Sequence, residues 1–328
     1  MQADHVRLGL GVITHRRPDG LMRLLKSFAQ LKVPEGVECT VVIAENDDVP
    51  MAAAQVEPLR TLVPFDLQMT LEPERGIPFA RNRVLDMAIA GKFDFLTFVD
   101  DDQIVEPDWL KKLYATIAER ELDLVGGPRP LIPEPDAALS KQNRIILRYI
   151  KEKHASMRLK KAGLVKSGEE ARIPIYTHNW IIRMTTQARL GVRFDERFRY
   201  SGGSDTQFYK DICEGGGLTG WSPDARSVEV WPPERLTFSY LYKRRRDQMT
   251  MNYVRAGRRP KLKKVLLLCN RLIVFGFLKL IRAPFNDFAS LAEFISTAGE
   301  TAGVIRAWRG VQSTHYAVPE QAPAGPRS

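Results

Sequence analysis

Four short apolar runs, VRLGLGVIT (6–14), CTVVIA (39–44), LQMTL (67–71) and FDFLTFV (93–99), are rich in β-branched and aromatic residues, and each ends at polar or charged positions. Runs of this length and composition read as buried strands. GLMRLLKSFAQL lies between the first two, with Leu21, Leu24, Leu25, Phe28 and Leu31 at helical spacing, and FARNRVLDMAIA carries a similar stripe between the third and fourth. Strands alternating with helices predict an α/β fold with a mostly parallel central sheet flanked by helices. Beyond Pro107, WLKKLYATIAER predicts another helix, LDLVGG a strand end, and HNWIIR (178–183) a strand returning to the core.

In an open α/β sheet, ligands gather at the carboxyl ends of the strands. Here those ends carry Thr14-His15-Arg16-Arg17, Glu45-Asn46-Asp47-Asp48 and Asp100-Asp101-Asp102. Three consecutive carboxylates repel one another unless a cation or a proton offsets the charge. The order Phe98-Val99-Asp100-Asp101-Asp102 suits a hard divalent cation, Mg2+ or Mn2+, that keeps open positions for phosphate oxygens. The competing reading is an acidic turn capping the helix near Pro107, for which a single Asp would suffice. The G-x-G of LGLG lacks a third glycine and lies within the strand itself, so it is not read as a dinucleotide fingerprint.

At 328 residues with 44% hydrophobic content, the chain is long enough for a packed core, and its net charge of +10 is unevenly placed. Lys243 to Lys264 holds ten basic residues and one acid, and Lys141 to Lys166 nine and one, leaving the remainder slightly acidic. Two basic segments imply contact with an anionic surface or polyanion. The second lies in RIILRYIKEKHASMRLKKAG, which reads as an ordered helix or a mobile flap. KVLLLCNRLIVFGFLKLI (264–281) is apolar but broken by Asn270, Arg271 and Lys279, which argues against a spanning helix. An interfacial helix anchored by KRRR and GRRPKLKK on an anionic leaflet fits instead, with a buried helix as the alternative. Cys39, Cys213 and Cys269 are too few and too scattered for a disulfide framework, and the N-terminal residues do not read as a secretion signal. The expectation is a cytoplasmic protein, peripheral on the inner face of the cell membrane.

FVDDDQIVEPDWL resembles the D-x-D region of family 2 glycosyltransferases with the GT-A fold, and the flanking segments follow that family's order. VITHRRPDGLMRLLKSF resembles its first strand and helix, VVIAENDD its V-x-x-D-N segment, and ERGIPFARNRVLDMA its G-x-x-x-A-R-N helix start. GGSDTQF resembles the later G-G-E-D motif, and VEVWPPERLTFSYLYKRR the P-x-x-R region of bacterial exopolysaccharide enzymes of the succinoglycan type. The resemblance covers about residues 6 to 260. It implies a GT-A domain over 1–240, with a nucleotide-sugar half to about 130 and an acceptor half beyond. A basic and apolar helical extension (241–312) and a disordered tail (313–328) would follow.

The resemblance further implies inverting transfer from a nucleotide-diphosphate sugar to a hydroxyl of a glycan or lipid-linked acceptor. On that pattern Asp102 ligates the metal, Asp100 assists the metal or meets the ribose, and Asp101 serves the donor beside them. Thr14, Arg16, Glu45, Asp47 and Arg81 serve the donor. Asp205 is the catalytic base, and Gly202, Gly203 and Ser204 approach the acceptor, although Ser204 stands where the motif has Glu. With no histidine in VEVWPPER, Glu229 is the substitute third metal ligand, and Trp180 and Trp231 are candidate stacking platforms for sugar rings. Two rival readings are a metal-dependent nucleotidyltransferase and a noncatalytic basic module binding nucleic acid. The acidic rim argues against nucleic acid as a partner.

Overall fold

The computed structural model describes residues 5–199, 202–286 and 288–310, so the tail expected over 313–328 lies outside the described residues. The chain divides into two compact units, one running to Thr237 and one from Phe238. In order, the first holds β1 (Val6–Thr14), α1 (Pro18–Phe28), β2 (Val37–Glu45), α2 (Ala53–Val56), β3 (Asp66–Leu71), α3 (Ile77–Ala90), β4 (Phe95–Asp100) and β5 (Gln103–Val105). There follow α4 (Trp109–Glu119), β6 (Leu124–Gly126), β7 (Leu131–Pro133), α5 (Lys141–Lys166), β8 (Trp180–Arg183), α6 (Met184–Leu190), α7 (Ser204–Glu214), β9 (Thr219–Trp221) and β10 (Ser227–Trp231).

The four apolar runs form β1 to β4, all parallel, within a seven-stranded sheet of order β3-β2-β1-β4-β8-β6-β9. Only β8 runs against its neighbours. Leu8, Leu10 and Val12 of β1 are fully buried beneath Leu21, Leu24, Leu25 and Phe28 of α1 and Trp109 and Leu113 of α4. The opposite face packs Val42, Ala44, Ala80, Val84 and Leu85 with an aromatic set, Phe98, Trp180, Phe194 and Phe208. Burying a side chain of this kind contributes roughly 1.5–3 kcal/mol, so each face needs its covering helices. The glycines of LGLG sit where that cover comes closest. A Cβ on Gly9 would lie 2.7 Å from the Phe93 ring, and one on Gly11 2.6 Å from the Thr97 carbonyl oxygen.

Strand order reverses between β1 and β4, since β2 and β3 build outward on one side of β1 and β4 lies on the other. Such a reversal opens a crevice at the carboxyl ends of the two strands. Register places Thr14 beside Glu45 and Ile13 beside Asp100 at that edge. β4 ends at Asp100, and β5 begins at Gln103 in a separate three-stranded sheet of order β5-β10-β7. The Asp triplet is therefore the turn by which the chain leaves one sheet for the other. α5, left open between helix and flap by the sequence, is a 26-residue helix started by a capping box of Ser140 and Asn143.

The second unit contains α8 (Phe238–Arg255), α9 (Leu262–Arg282) and α10 (Ala289–Trp308). α10 presses its glycines on α8: a Cβ on Gly299 would lie 2.5 Å from the Tyr242 carbonyl oxygen, and one on Gly303 2.3 Å from that of Arg246. α9 leaves Leu262, Leu266, Leu267, Ile273, Val274 and Phe275 exposed. Among the described residues, no helix is long and apolar enough to cross a membrane.

Candidate active site

At the β1/β4 reversal, the triplet is neutralised largely by arginines. Asp101 is buried, accepting a hydrogen bond from the Thr14 hydroxyl at 2.8 Å and one from Arg17 Nη1 at 3.2 Å. Asp102 is the more exposed and forms ion pairs with Arg17 at 3.3 Å and Arg235 at 3.0 Å through one oxygen, Oδ2. Asp100 precedes them in sequence but faces a different set of charges. Burial pushes its carboxyl up to about 7, with Arg81 and Arg129 opposing the shift and Asp102 and Asp101 adding to it. Its backbone N–H donates to Gln103 Oε1 at 2.8 Å, which fixes the turn. Burial also raises Asp101, against the pull of Arg17. Hard carboxylate oxygens at a partly open rim fit a divalent cation such as Mg2+ or Mn2+. Among the described residues no three His, Cys, Asp or Glu side chains converge on one metal position. A cation held by Asp102 and Asp100 would thus take its remaining oxygens from a ligand or water.

Beside the triplet, the ends of β1 and β2 are locked together. Arg16 clamps the fully buried Asp47 at 2.6 and 3.1 Å, and Arg75 approaches the same carboxylate at 3.4 Å. The Arg16 hydrogen bond holds Asp47 well below the usual carboxylate range. Glu45, also buried, accepts from the N–H groups of Met51 and Ala52 through Oε1 and so seats α2, while its Oε2 has no hydrogen-bond partner among the described residues. Asn46 staples the loop after β3, accepting from Gly76 N at 2.8 Å and donating to the Glu72 and Glu74 carbonyls. That loop delivers α3 and Arg81 to the rim.

Arg81 joins this group to α7. Its Nη1 donates to Ser204 Oγ at 3.1 Å, while its buried Nε has no partner among the described residues. Ser204 is itself buried, so the structure corrects its assignment as an acceptor contact: its hydroxyl serves Arg81. A Ser here, unlike the motif's Glu, leaves the Arg81 charge directed at Asp100. Gly202 and Gly203 take φ of 64° and 105°, a region that glycine alone enters freely, and the turn they make places Asp205 in the first turn of α7. Asp205 Oδ1 accepts from the N–H and hydroxyl of Thr206. The residue that caps the helix is Gly203, so Asp205 is not consumed as an N-cap.

Three further expectations are corrected. Trp180 is 1% exposed, packed against Phe98, Phe194 and Phe208, and Trp231 is 4% exposed; rings enclosed in this way offer no face to a sugar. Glu229 lies opposite Gln103 in the small sheet with its carboxylate on Arg129, and since no three such side chains converge on one metal position among the described residues, it does not join Asp100 and Asp102 as a third ligand. Sequence reasoning omitted Arg17, Arg235 and Arg129 from the site. Arg17 was visible in the first polar cluster and Arg235 in the P-x-x-R segment. Arg129 follows a three-residue strand in no motif.

Gly20 gives a test of how rigidly the triplet is held, because a Cβ there would stand 2.6 Å from the Asp101 carbonyl oxygen. Gly20→Ala should cost about 1–3 kcal/mol and lower the melting temperature accordingly. An unchanged melting temperature would show that α1 and the triplet move apart freely.

The sequence model of Glycosyl transferase family 2 matches residues 10–186, from within β1 through β8. Succinoglycan biosynthesis protein ExoM of Rhizobium meliloti is 34% identical over 247 residues, 75% of this chain and 74% of that protein. A mannosyltransferase from Pyrobaculum calidifontis, solved with GDP-Man and Mn2+, has a TM-score of 0.58 at 15% identity, covering 90% of this chain and 86% of that one. TarS 1-349 of S. aureus, solved with UDP-GlcNAc, has a TM-score of 0.50 at 14% identity, covering 93% of each chain. These solved structures are glycosyltransferases of the GT-A fold, with the same layering of helices about a mostly parallel sheet. A family match over more than half the chain, and a relative aligned over three quarters of it, lead to one assignment: the chain belongs to glycosyl transferase family 2.

Proposed function

We propose that this glycosyltransferase moves a sugar, with inversion, from a nucleotide-diphosphate sugar to a hydroxyl of a glycan or lipid-linked acceptor during polysaccharide or cell-envelope glycan synthesis. The observation that carries the reading is Asp102, a partly exposed carboxylate at the strand-order reversal, held by Arg17 just before α1 and by Arg235 after β10. Leaving diphosphate needs positive charge, and Arg17, Arg235 and Arg81 stand around the place where it would form. A divalent cation bound by Asp102, with Asp100 behind it, would supply further charge to that group. Asp205 takes the proton of the acceptor hydroxyl at Oδ2, since Oδ1 is engaged by Thr206. The donor class is supported by the GDP-Man and UDP-GlcNAc bound to the similar folds. Polysaccharide synthesis is supported by the succinoglycan relative.

The test is protection against thermal unfolding by a panel of nucleotide sugars, with and without Mn2+. A rise in melting temperature with one UDP- or GDP-sugar supports the reading. Protection by nucleoside triphosphates alone, with pyrophosphate release, would favour a nucleotidyltransferase.

α9 supports placement at the inner face of the cell membrane. Its exposed apolar side chains adjoin exposed Arg258, Arg259, Lys261 and Lys263, a combination that suits an anionic lipid surface. Each such charge near the surface contributes on the order of 1 kcal/mol, so reversing all four should reduce sedimentation with acidic liposomes by more than about tenfold. Equal sedimentation of variant and parent would make the basic segment a solvated surface.

A further inference from the structure

Beyond Asp100 the rim continues across β8, β6 and β9, and its charge changes sign. The register of β4 with β8 ends at Phe98 beside Trp180, two residues after His178. Gly126 pairs with both Trp180 and Trp221, so the Pro128-Arg129 segment leaves β6 at the same edge. Over this edge α5 places Lys161, whose ammonium lies 3.7 Å from the centre of the Trp221 ring.

We propose that Lys161 and Arg129 form an oxyanion subsite for an anionic group of the acceptor, either a phosphate of a carrier or a carboxylate of an acidic sugar. The proposal rests on the glycosyl-transfer reading only for the word acceptor. Arg129 is partly neutralised by Glu229, yet its Nε is buried without a hydrogen-bond partner among the described residues. Lys161 forms no ion pair with any carboxylate among the described residues. A half-buried ammonium beside an arginine is unfavourable, and the Trp221 face offsets only part of that cost. Burial and Arg129 accordingly bring the Lys161 ammonium down to about 8. The same cations, with Arg81 and burial, hold His178 well below its usual value, so a neutral imidazole completes the group. An oxyanion would relieve the repulsion and hydrogen-bond to both basic side chains. On the transfer reading the donor would lie at β1 and β2, on the other side of Asp100, which would make this a separate subsite.

The full chain is acylated at limiting reagent, and modification of Lys161 and exposed Lys151 is mapped by mass spectrometry. Inorganic phosphate and glucuronate are the probes, each with and without UDP or GDP plus Mn2+. At saturating probe, Lys161 should be protected about tenfold while Lys151 is not, and protection should persist with nucleotide present. Protection by phosphate alone identifies a phosphorylated carrier, and protection by glucuronate alone an acidic sugar. Calorimetry of the protecting probe supplies the second readout: Lys161→Gln should lose binding more than about tenfold, with an unchanged melting temperature, and Lys161→Arg should keep it. Absence of protection by either anion overturns the proposal and leaves Lys161 as a solvated stem over Trp221. Protection that vanishes with nucleotide also overturns it, because the anion was then in the donor site. If anions protect Lys161 while no nucleotide sugar stabilises the protein, the transfer reading fails and the subsite stands.

Discussion

Asp205→Asn should leave the protein folded and able to bind its donor while transfer falls about 10²–10⁴-fold, the usual contribution of a general base. The carboxamide has the size of the carboxylate, and its oxygen still accepts from Thr206 N, so the start of α7 is preserved. What is lost is the anionic oxygen that receives the hydroxyl proton. The check is steady-state turnover beside nucleotide-sugar binding by calorimetry. Equal loss of donor affinity would move Asp205 into the donor pocket, and normal turnover would place the base on another residue. The contrast with Ser204 sharpens the experiment. Ser204→Ala removes the oxygen that receives Arg81 Nη1, so its effect should fall on the donor side of the reaction.

The main sheet was legible because β1 to β4 are long, apolar and β-branched, and their periodicity survives whatever they pack against. The candidate site was legible as a place, where a polar cluster ended such a strand: Thr14 and the triplet come together at the rim, and Asp101 bonds directly to Thr14. Roles within the clusters were less legible. Three adjacent aspartates look alike in sequence, yet one is buried against Thr14, one pairs with two arginines at the rim, and one is pushed up to about 7 by burial. Part of the difference comes from Arg129 and Arg235, which flank β7 and β10, short runs that form a second sheet with β5 only through pairing distant in sequence. The same pairing brings Glu229 to Arg129. Trp180 and Trp231 illustrate the opposite failure: an aromatic near a motif carries no mark of which face is covered, and here the core covers both.

Asp102→Asn should abolish turnover, by about 10³-fold or more, with little change in stability. Both parts follow from position. The side chain is 17% exposed and its ion pairs lie at the rim, where a partly solvated pair contributes about 0–1 kcal/mol. Arg17 keeps Asp101 as a partner, and removing one negative charge eases the repulsion on Asp100. Asp101→Asn is the structural control. It replaces a buried acceptor of two hydrogen bonds, so it should cost about 1–3 kcal/mol. Chelation should act on the parent as Asp102→Asn does, removing turnover at an unchanged fold, with Mn2+ or Mg2+ restoring it. Full turnover in excess chelator would mean that Arg17 and Arg235 stabilise the leaving diphosphate unaided, with Asp102 serving only to hold them in place. Under that outcome Arg235→Ala, rather than metal removal, would produce the larger loss.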